Sequence, residues 1–169
     1  TVDCGTDGNG AGINKAIRKG FNSIVIKGIC KENISFNGST GNSIRLLKLR
    51  GANNDSSLDK IVDNSSYSDH VLKFNYGGML VTIDNLTISG GDRGITTWMN
   101  IGIRIRNSKI EGYKNRGLTI QGSSVLEAEN LVIDGSYSGA SSEEQGLRLW
   151  GESNASVSYT HLTLPTNGC

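Results

Sequence analysis

Proline and aromatic residues are scarce in this sequence. One proline, Pro165, occurs in 169 residues, and aromatic residues make up 6% of the chain. No apolar run approaches the roughly 20 residues that a membrane-spanning helix needs, so we expect no membrane span. Neither sign of charge is in excess, because 17 Lys and Arg face 16 Asp and Glu, a net charge of +1. Such a balance does not favour a nucleic-acid partner, and we expect none.

Glycine, in contrast, is abundant, with 23 residues, which is about twice its usual share. Glycine at this level, with many Asn, Ser and Thr residues, indicates many tight turns between short strands. The length suits one domain. The sequence starts at Thr1 without a basic segment leading into an apolar one. We therefore expect either a mature exported form or a fragment of a longer protein.

Three segments in the second half of the chain resemble one another at an interval of about 23 residues. Asparagines recur at intervals of 22 (107−85) and 23 (130−107) residues, and glycines at intervals of 23 (117−94) and 29 (146−117) residues. The residues in phase are Asn85, Asn107, Asn130, Gly94, Gly117 and Gly146. Each unit alternates short apolar strands with turns and cannot bury its apolar face alone. The repeat predicts stacked units of a parallel β-helix; the alternative is an antiparallel sandwich with evenly spaced turns.

The start of the chain differs from these repeats. Ile13, Ala16 and Ile17 follow a helical spacing, and Gly20 is a plausible stop signal. A short helix here would cover the open end of a stack of repeats, as atypical terminal repeats do.

The N-terminal sequence and the repeats together resemble the bacterial right-handed parallel β-helix proteins of the pectin lyase-like superfamily. The matching stretches are "VDC" at Val2 to Cys4, "SIVIKGIC" at Ser23 to Cys30, and "SIRLLKLRG" ending at Gly51, followed by the repeats to about Trp150. The resemblance implies an all-β, right-handed parallel β-helix over residues 1–156, with rungs of about 23 residues and a short N-terminal capping helix. It is specific for the fold and weak for function, because such folds serve many activities.

The same resemblance implies a disulfide between Cys4 and Cys30 and an exported protein, that is, secreted, periplasmic or at the cell surface. A bridge across the cap would require an oxidising compartment. The alternative is a pair of buried free thiols in a cytosolic chain. The spacing of these cysteines, without a nearby histidine, does not suggest zinc.

The end of the chain, "VSYTHLTLPTNGC", does not continue the repeat. It has no asparagine in phase, and it carries Pro165, which a strand inside a sheet does not tolerate. Residues 157–166 also resemble the translation of a transposon-end adapter used in sequencing libraries. We therefore expect 157–169 to be a non-native tail on a fragment from environmental DNA, and we assign no function to His161 or Cys169.

Family members that act on polysaccharides bind the sugar chain along one face of the fold, and the resemblance implies such a face here. Aromatic side chains could stack on sugar rings, and arginines could bind uronate carboxylates. The carbohydrate-binding candidates are Trp98, Trp150, Arg93, Arg116, Arg148 and Gln121. The alternative is that the indoles fold onto turns and the arginines are solvated.

Glu111 and Asp134 are the weak candidates for catalysis, because they follow Ile110 and Ile133 at equivalent positions. Stacked carboxylates could share a proton or a Ca²⁺ ion, although solvated turn residues are the commoner explanation. No other metal or cofactor is expected. Two functions remain open: an exported protein that binds, and at full length cleaves, an acidic polysaccharide as a lyase or glycoside hydrolase, or a non-enzymatic, adhesin-like surface protein. We expect the full-length protein to be a monomer.

Overall fold

The structure is a computed structural model that describes residues 1–5, 12–38, 44–135, 145–158 and 161–163. Short strands dominate it, because β-branched and apolar residues alternate with polar ones between turn residues. The elements are β1 (Val2–Asp3), α1 (Gly12–Arg18), β2 (Ser23–Lys27), β3 (Ile29–Lys31), β4 (Ile34–Asn37), β5 (Leu46–Gly51), β6 (Lys60–Val62), β7 (His70–Asn75), β8 (Met79–Asp84), β9 (Thr87–Ser89), β10 (Arg93–Trp98), β11 (Ile101–Glu111), β12 (Arg116–Gln121), β13 (Val125–Asp134), β14 (Gln145–Trp150), β15 (Asn154–Ser158) and β16 (His161–Thr163).

The strands form two parallel sheets. The larger sheet has eleven strands and contains the order β1-β2-β5-β8-β11-β9-β6-β3, with β13 pairing with β11, β15 and β16. The smaller sheet has five strands in the order β14-β12-β10-β7-β4. Neighbouring strands are far apart in the chain, so the connections between them are crossovers, as parallel pairing requires.

This topology corrects the predicted fold class. We expected an all-β right-handed parallel β-helix, a solenoid of rungs of about 23 residues, whereas the strands group into two parallel sheets with one short helix and the order of an α/β-like sheet. The spacing of paired positions also varies, from 22 residues (102−80) between Leu80 and Gly102 to 38 (72−34) between Ile34 and Leu72. The repeat reports which residues are in register, and residues in register occur in any parallel sheet. It does not determine how strands are grouped.

The repeated asparagines illustrate why the grouping was missed. In a β-helix, such asparagines would lie at corners between strands, but Asn107 lies inside β11 and Asn130 inside β13, so the segments on both sides of each belong to one sheet. Both residues have left-handed backbone angles, with φ of 47° and 49°, which asparagine tolerates better than most residues. Two of the repeated asparagines are in contact, because Asn130 Nδ2 donates a hydrogen bond to Asn107 Oδ1 at 3.1 Å, whereas Asn107 Nδ2 donates to Asp84 Oδ1.

Alternate residues of the strands build the apolar core between the sheets. Val81 and Ile83 of β8 are fully buried, as are Ile105 of β11 and Phe74 of β7, whereas their chain neighbours are less buried. This alternation follows from the pleat of a strand, which turns successive side chains to opposite faces. The inward face of the small sheet therefore packs in the core, and its outward face carries polar side chains.

Helix α1 confirms the predicted short N-terminal helix. Its apolar residues Ile13 and Ile17 are buried. The carboxylate of Glu32, itself buried, accepts hydrogen bonds from the backbone N–H groups of Ile13 at 2.9 Å and Asn14 at 2.7 Å. These N–H groups at the start of a helix have no partner within it, so Glu32 satisfies donors that would otherwise be orphaned.

The predicted disulfide is confirmed. Cys4 and Cys30 are bonded, with their Cα atoms 5.2 Å apart, and both residues are buried. The bridge ties the start of the chain to β3 in the large sheet. A disulfide is typical of extracellular and other oxidising environments.

The segment predicted to be a non-native tail contributes the end of β15 and all of β16. Both strands pair with β13, for example Ala128 with Val157 and Ile133 with Leu162. Every residue of β15 is exposed. Such pairing uses main-chain groups that any sequence carries, so it does not distinguish a native strand from an appended segment. Cys169 lies outside the described residues.

Candidate binding site on the five-stranded sheet

The outer face of the small sheet aligns its polar residues in columns that run across the strands. Parallel strands lie about 4.8 Å apart, so residues in register form continuous rows of side chains. One column is His70, Arg93, Arg116 and Gln145; the next is Lys73, Thr96, Thr119 and Arg148; the third is Asn75, Trp98, Gln121 and Trp150. All six residues predicted from the sequence to bind carbohydrate therefore lie within this one sheet.

The charge of the small sheet has a single sign. Its five strands contain Lys73, Arg93, Arg116 and Arg148 together with His70, and none of the five contains Asp or Glu. Among the described residues, neither Lys73 nor Arg148 forms a salt bridge. A surface with one sign of charge attracts ligands of the opposite sign.

The large sheet is different, because its outward charges are paired across neighbouring strands. Arg104 Nε lies 2.5 Å from Glu127 Oε2, and Arg106 Nε lies 3.2 Å from Glu129 Oε2. Cross-strand pairs of this kind neutralise a sheet surface. The small sheet is thus the face whose strands carry cations and no acidic residue, although Asp92, just before β10, pairs with Arg93 at 3.5 Å.

A cavity of about 250 Å³ opens among these columns. It is lined by residues from β7, β10 and β12 and by Tyr76 just beyond β7: His70, Lys73, Asn75, Tyr76, Arg93, Thr96, Trp98 and Gln121. Two of its buried polar atoms, Thr96 Oγ1 and Asn75 Oδ1, make no hydrogen bond within the described part of the protein. Buried polar atoms are normally hydrogen-bonded. A polar ligand in this cavity would supply the missing partners.

His70 lines the cavity and contacts both Asp69 and Arg93. Its Nδ1 lies 2.8 Å from Asp69 Oδ1, and its Nε2 lies 3.3 Å from Arg93 Nη1. A guanidinium can only donate, so Nε2 must be the acceptor and Nδ1 must carry the proton given to Asp69. Burial lowers the pKa of His70; the hydrogen bond with Asp69 opposes this, and the charges of Arg93 and Lys73 lower the pKa further. The neutral imidazole therefore holds Arg93 at the cavity.

Two indoles stand on the same column as the cavity. Trp98 is 39% exposed and Trp150 is 58% exposed, with Gln121 in register between them. Two strand spacings separate the indoles, which is about 9.6 Å. The guanidinium of Arg148 lies 5.9 Å from the centre of the Trp150 ring, within cation–π range. A site of this kind can bind an acidic sugar in two ways at once: the indoles stack on its rings, and the neighbouring cations pair with its acidic groups.

Glu111 and Asp134 occupy neighbouring strands in register, as expected, but they lie on the large sheet. Lys109 Nζ lies 2.8 Å from Glu111 Oε2 and 3.2 Å from Asp134 Oδ2, and Lys60 Nζ lies 3.3 Å from Glu111 Oε1. Burial raises the pKa of Glu111, but hydrogen bonds and charge from Lys109 and Lys60 outweigh it and lower the pKa overall. A general acid would need a raised pKa. Among the described residues, no group of three metal-ligating side chains could hold an ion.

Sequence reasoning missed the residues that β7 adds to the site. His70 precedes "VLKFN" outside any motif, which predicts a surface residue without a fixed partner, yet its side chain is only 14% exposed. Lys73 and Asn75 were not singled out either. Strand β7 lacks the glycine of the later repeats, so its alignment with β10 was not visible. The alternation in "LKFN" places Lys73 and Asn75 on one face and was the available signal for those two residues, whereas His70, three residues before Lys73, does not follow from alternation.

A larger cavity, of about 560 Å³, lies elsewhere, beside the repeated asparagines. It is lined by Asn54, Asp55, Ser56, Asn85, Asn107, Ser108, Lys109, Asn130 and Val132. Its one cation, Lys109, is paired with Glu111 and Asp134. The smaller cavity is the stronger candidate, because it combines Lys73, which forms no salt bridge among the described residues, with buried polar atoms that lack partners there.

No family model matches the chain, and no curated protein and no solved structure matches it either. The resemblance to the pectin lyase-like superfamily stated from the sequence therefore stays a prediction. Within the residues that the structure describes, no helix is long and apolar enough to cross a membrane.

Proposed function

We propose that the protein binds a carboxylate-bearing polysaccharide on the outer face of the five-stranded sheet. The observation that supports this most directly is the cavity between β7 and β10. There, Lys73 and Arg93 stand beside the exposed indole of Trp98 and beside buried polar atoms that have no partner among the described residues. Carboxylates pair with the cations, sugar hydroxyls can bond Thr96 and Asn75, and a sugar ring can stack on Trp98.

Binding along the sheet has a geometric basis. The columns repeat the same chemistry on successive strands, because Arg116 follows Arg93 and Trp150 lies two strands from Trp98. A polymer with a carboxylate on successive sugars could therefore engage several strands at once, which raises affinity through effective concentration. The disulfide supports a location outside the reducing cytosol, at the cell surface or in a secreted form.

We propose binding rather than cleavage as the function of this part of the chain. The carboxylates that were candidates for catalysis, Glu111 and Asp134, belong to a different sheet and are engaged by Lys109. Among the described residues, the five strands of the binding face contribute no Asp or Glu to act as a glycosidase acid or nucleophile.

Calorimetric titration with an unesterified uronic-acid trisaccharide tests this proposal. Wild type should bind it, and Arg93→Gln should weaken binding by about tenfold or more, because a charge-assisted hydrogen bond is lost. The control is Arg104→Gln on the large sheet, whose partner is Glu127. We expect that variant to bind like wild type. Equal losses in both variants, or equal binding of a neutral trisaccharide by wild type, would contradict the proposal.

A further inference from the structure

His70 occupies a position in the binding cavity where its proton would decide which groups face a ligand. Its Nδ1 is engaged by Asp69 Oδ1, and its Nε2 faces Arg93 Nη1 at the cavity wall. In this arrangement one N–H group of Arg93 is directed at an imidazole rather than at the cavity. The imidazole is neutral, because Nε2 can accept only without a proton.

We propose that this site binds a carboxylate more tightly at acidic pH because of His70. A proton on Nε2 converts the histidine from a partner of Arg93 into a ligand of the bound carboxylate. The inference rests on the proposed function, since it concerns the same cavity and ligand. His70 is here a specificity-determining residue: it decides at which pH the site holds an acidic ligand most tightly.

The change in hydrogen bonding follows from the donors and acceptors present. Protonation turns Nε2 into a donor, so it can no longer accept from Arg93 Nη1, and the two cations repel one another. The freed N–H group of Arg93 and the new N–H group of His70 are then both available to a ligand in the cavity. A carboxylate has two oxygens and can accept from both.

The charges around His70 on its own strand and the next are balanced at neutral pH. Asp69 and Lys73 flank it in the chain, and Arg93 on β10 lies beside Asp92, with Nε and Oδ2 3.5 Å apart. Hydrogen bonding from His70 lowers the pKa of Asp69 despite some burial, so this carboxylate stays ionised in mild acid. A proton on His70 therefore adds a net positive charge to the cavity wall.

The other strand packed against β7 adds no charge that could compensate. β4 carries no Asp, Glu, Lys or Arg. Before it, Asn33 Nδ2 donates to the carbonyl of His70 at 2.8 Å and to Asp63 Oδ1 at 2.7 Å. The carboxylate of Asp63 also accepts from Ser65 and Tyr67, and its pKa is lowered because these bonds outweigh burial. Asp63 therefore does not take up the proton in place of His70.

The direction of the pH dependence follows from linkage. Burial lowers the pKa of His70. In the unliganded protein, His70 is therefore neutral at pH 7 and becomes positively charged only in acid. If the protonated site binds the carboxylate more tightly, bound carboxylate must in turn raise the pKa of His70. Uronic acids have carboxyl groups like that of Asp, with a pKa of about 4. The ligand itself therefore stays ionised at pH 5.

The experiment is calorimetric titration of the full chain with the unesterified uronic-acid trisaccharide at pH 7.5 and pH 5. We expect wild type to bind about tenfold more tightly at pH 5, the gain from one charge-assisted hydrogen bond. His70→Gln should bind with nearly the same affinity at both pH values. The matched control is His161→Gln, which alters the other histidine in the chain and should keep the wild-type pH dependence.

The outcomes separate the two proposals. If His70→Gln tightens in acid as much as wild type, the inference is overturned while polysaccharide binding stands. If wild type binds the trisaccharide at neither pH, both proposals are wrong. A second measurement needs no variant: the proton NMR titrations of the two histidines, followed with and without trisaccharide. The midpoint of His70 should move to higher pH on binding, and an unmoved His70 midpoint would overturn the inference.

Discussion

Gly117 lies so close to Gly146 on the neighbouring strand that a Cβ atom added to Gly117 would be 2.8 Å from the carbonyl oxygen of Gly146. Gly94 stands in the same relation to Gly117, with a distance of 2.7 Å. The in-phase glycines thus allow β10, β12 and β14 to begin side by side. The added Cβ of Gly117 would also lie 2.7 Å from Ile133 Cγ2 and 2.8 Å from Tyr113 Cε1, two buried side chains, and the backbone carbonyl cannot swing away.

Gly117→Ala should therefore destabilise the protein by about 2 kcal/mol or more, as overpacking does in a close-packed region. Urea unfolding followed by circular dichroism measures the loss. The matched control is Gly102→Ala in β11, where the nearest atom to the added Cβ would be the flexible end of Leu80, 3.3 Å away. We expect this control to change stability by less than about 1 kcal/mol. Equal losses in the two variants would argue against these close contacts of Gly117 as the cause.

Removal of the Cys4–Cys30 bridge should lower the free energy of unfolding by about 3.5 kcal/mol. The cysteines are 26 residues apart, and loop-closure entropy in the unfolded chain gives a value of this size. The double variant Cys4→Ala/Cys30→Ala can be compared with wild type by thermal unfolding, with and without reductant. Reductant should lower the melting temperature of wild type only. A double variant as stable as oxidised wild type would exclude a stabilising bridge.

The cluster of Lys60, Lys109, Glu111 and Asp134 should make stability depend on pH. The pKa of Glu111 is lowered in the folded protein. The stability it contributes is therefore present above its unfolded pKa and is lost as pH falls through its folded pKa. Glu111→Gln should be about 1 kcal/mol less stable than wild type at pH 7. The difference should disappear in strong acid, where wild-type Glu111 is protonated.

Urea unfolding of both proteins between pH 7 and pH 2.5 measures this convergence. Glu129→Gln is the control, because its partner Arg106 and Glu129 itself are more than half exposed. An exposed pair contributes little, so this variant should stay within about 0.5 kcal/mol of wild type at every pH. A gap between wild type and Glu111→Gln that persists unchanged to pH 2.5 would show that charge at Glu111 is not the cause.

Asn107 should tolerate glycine better than valine. Its φ of 47° lies in the left-handed region, where a β-branched residue is strained by about 1–2 kcal/mol and glycine is not. Asn107→Val should therefore unfold at a lower urea concentration than Asn107→Gly. Both variants lose the amide contact with Asn130, so their difference isolates the backbone effect. Identical midpoints would contradict this account.

The register of the small sheet could be read from the sequence. Gly94 and Gly117 mark equivalent positions, so the pairing of Trp98 with Gln121 and of Thr119 with Arg148 followed by counting. Local patterns suffice here because register in a buried parallel sheet is determined by which face is apolar and by where the chain needs glycine. Helix α1 was equally legible from the spacing of its apolar residues.

The grouping of the strands was decided by tertiary structure. The same repeat fits any arrangement that keeps equivalent residues in register. Whether the chain bends at Asn107 or continues through it as one strand depends on packing against neighbours that the repeat does not encode. The predicted solenoid class was wrong for this reason, although the residues predicted to lie in register were the right ones.

The binding site was also decided only in three dimensions. Sequence alone indicated Arg93 and Trp98, because they belong to a visible repeat. It determined as well that the strands of the small sheet carry cations and no acidic residues. That His70 and Lys73 complete the cavity depends on β7 pairing with β10, across a connection of 17 residues (93−75−1) that no local pattern spans. Glu111 and Asp134 were assigned to neighbouring strands correctly, but only the structure shows Lys109 between them, since ion pairing depends on side-chain distances that spacing does not determine.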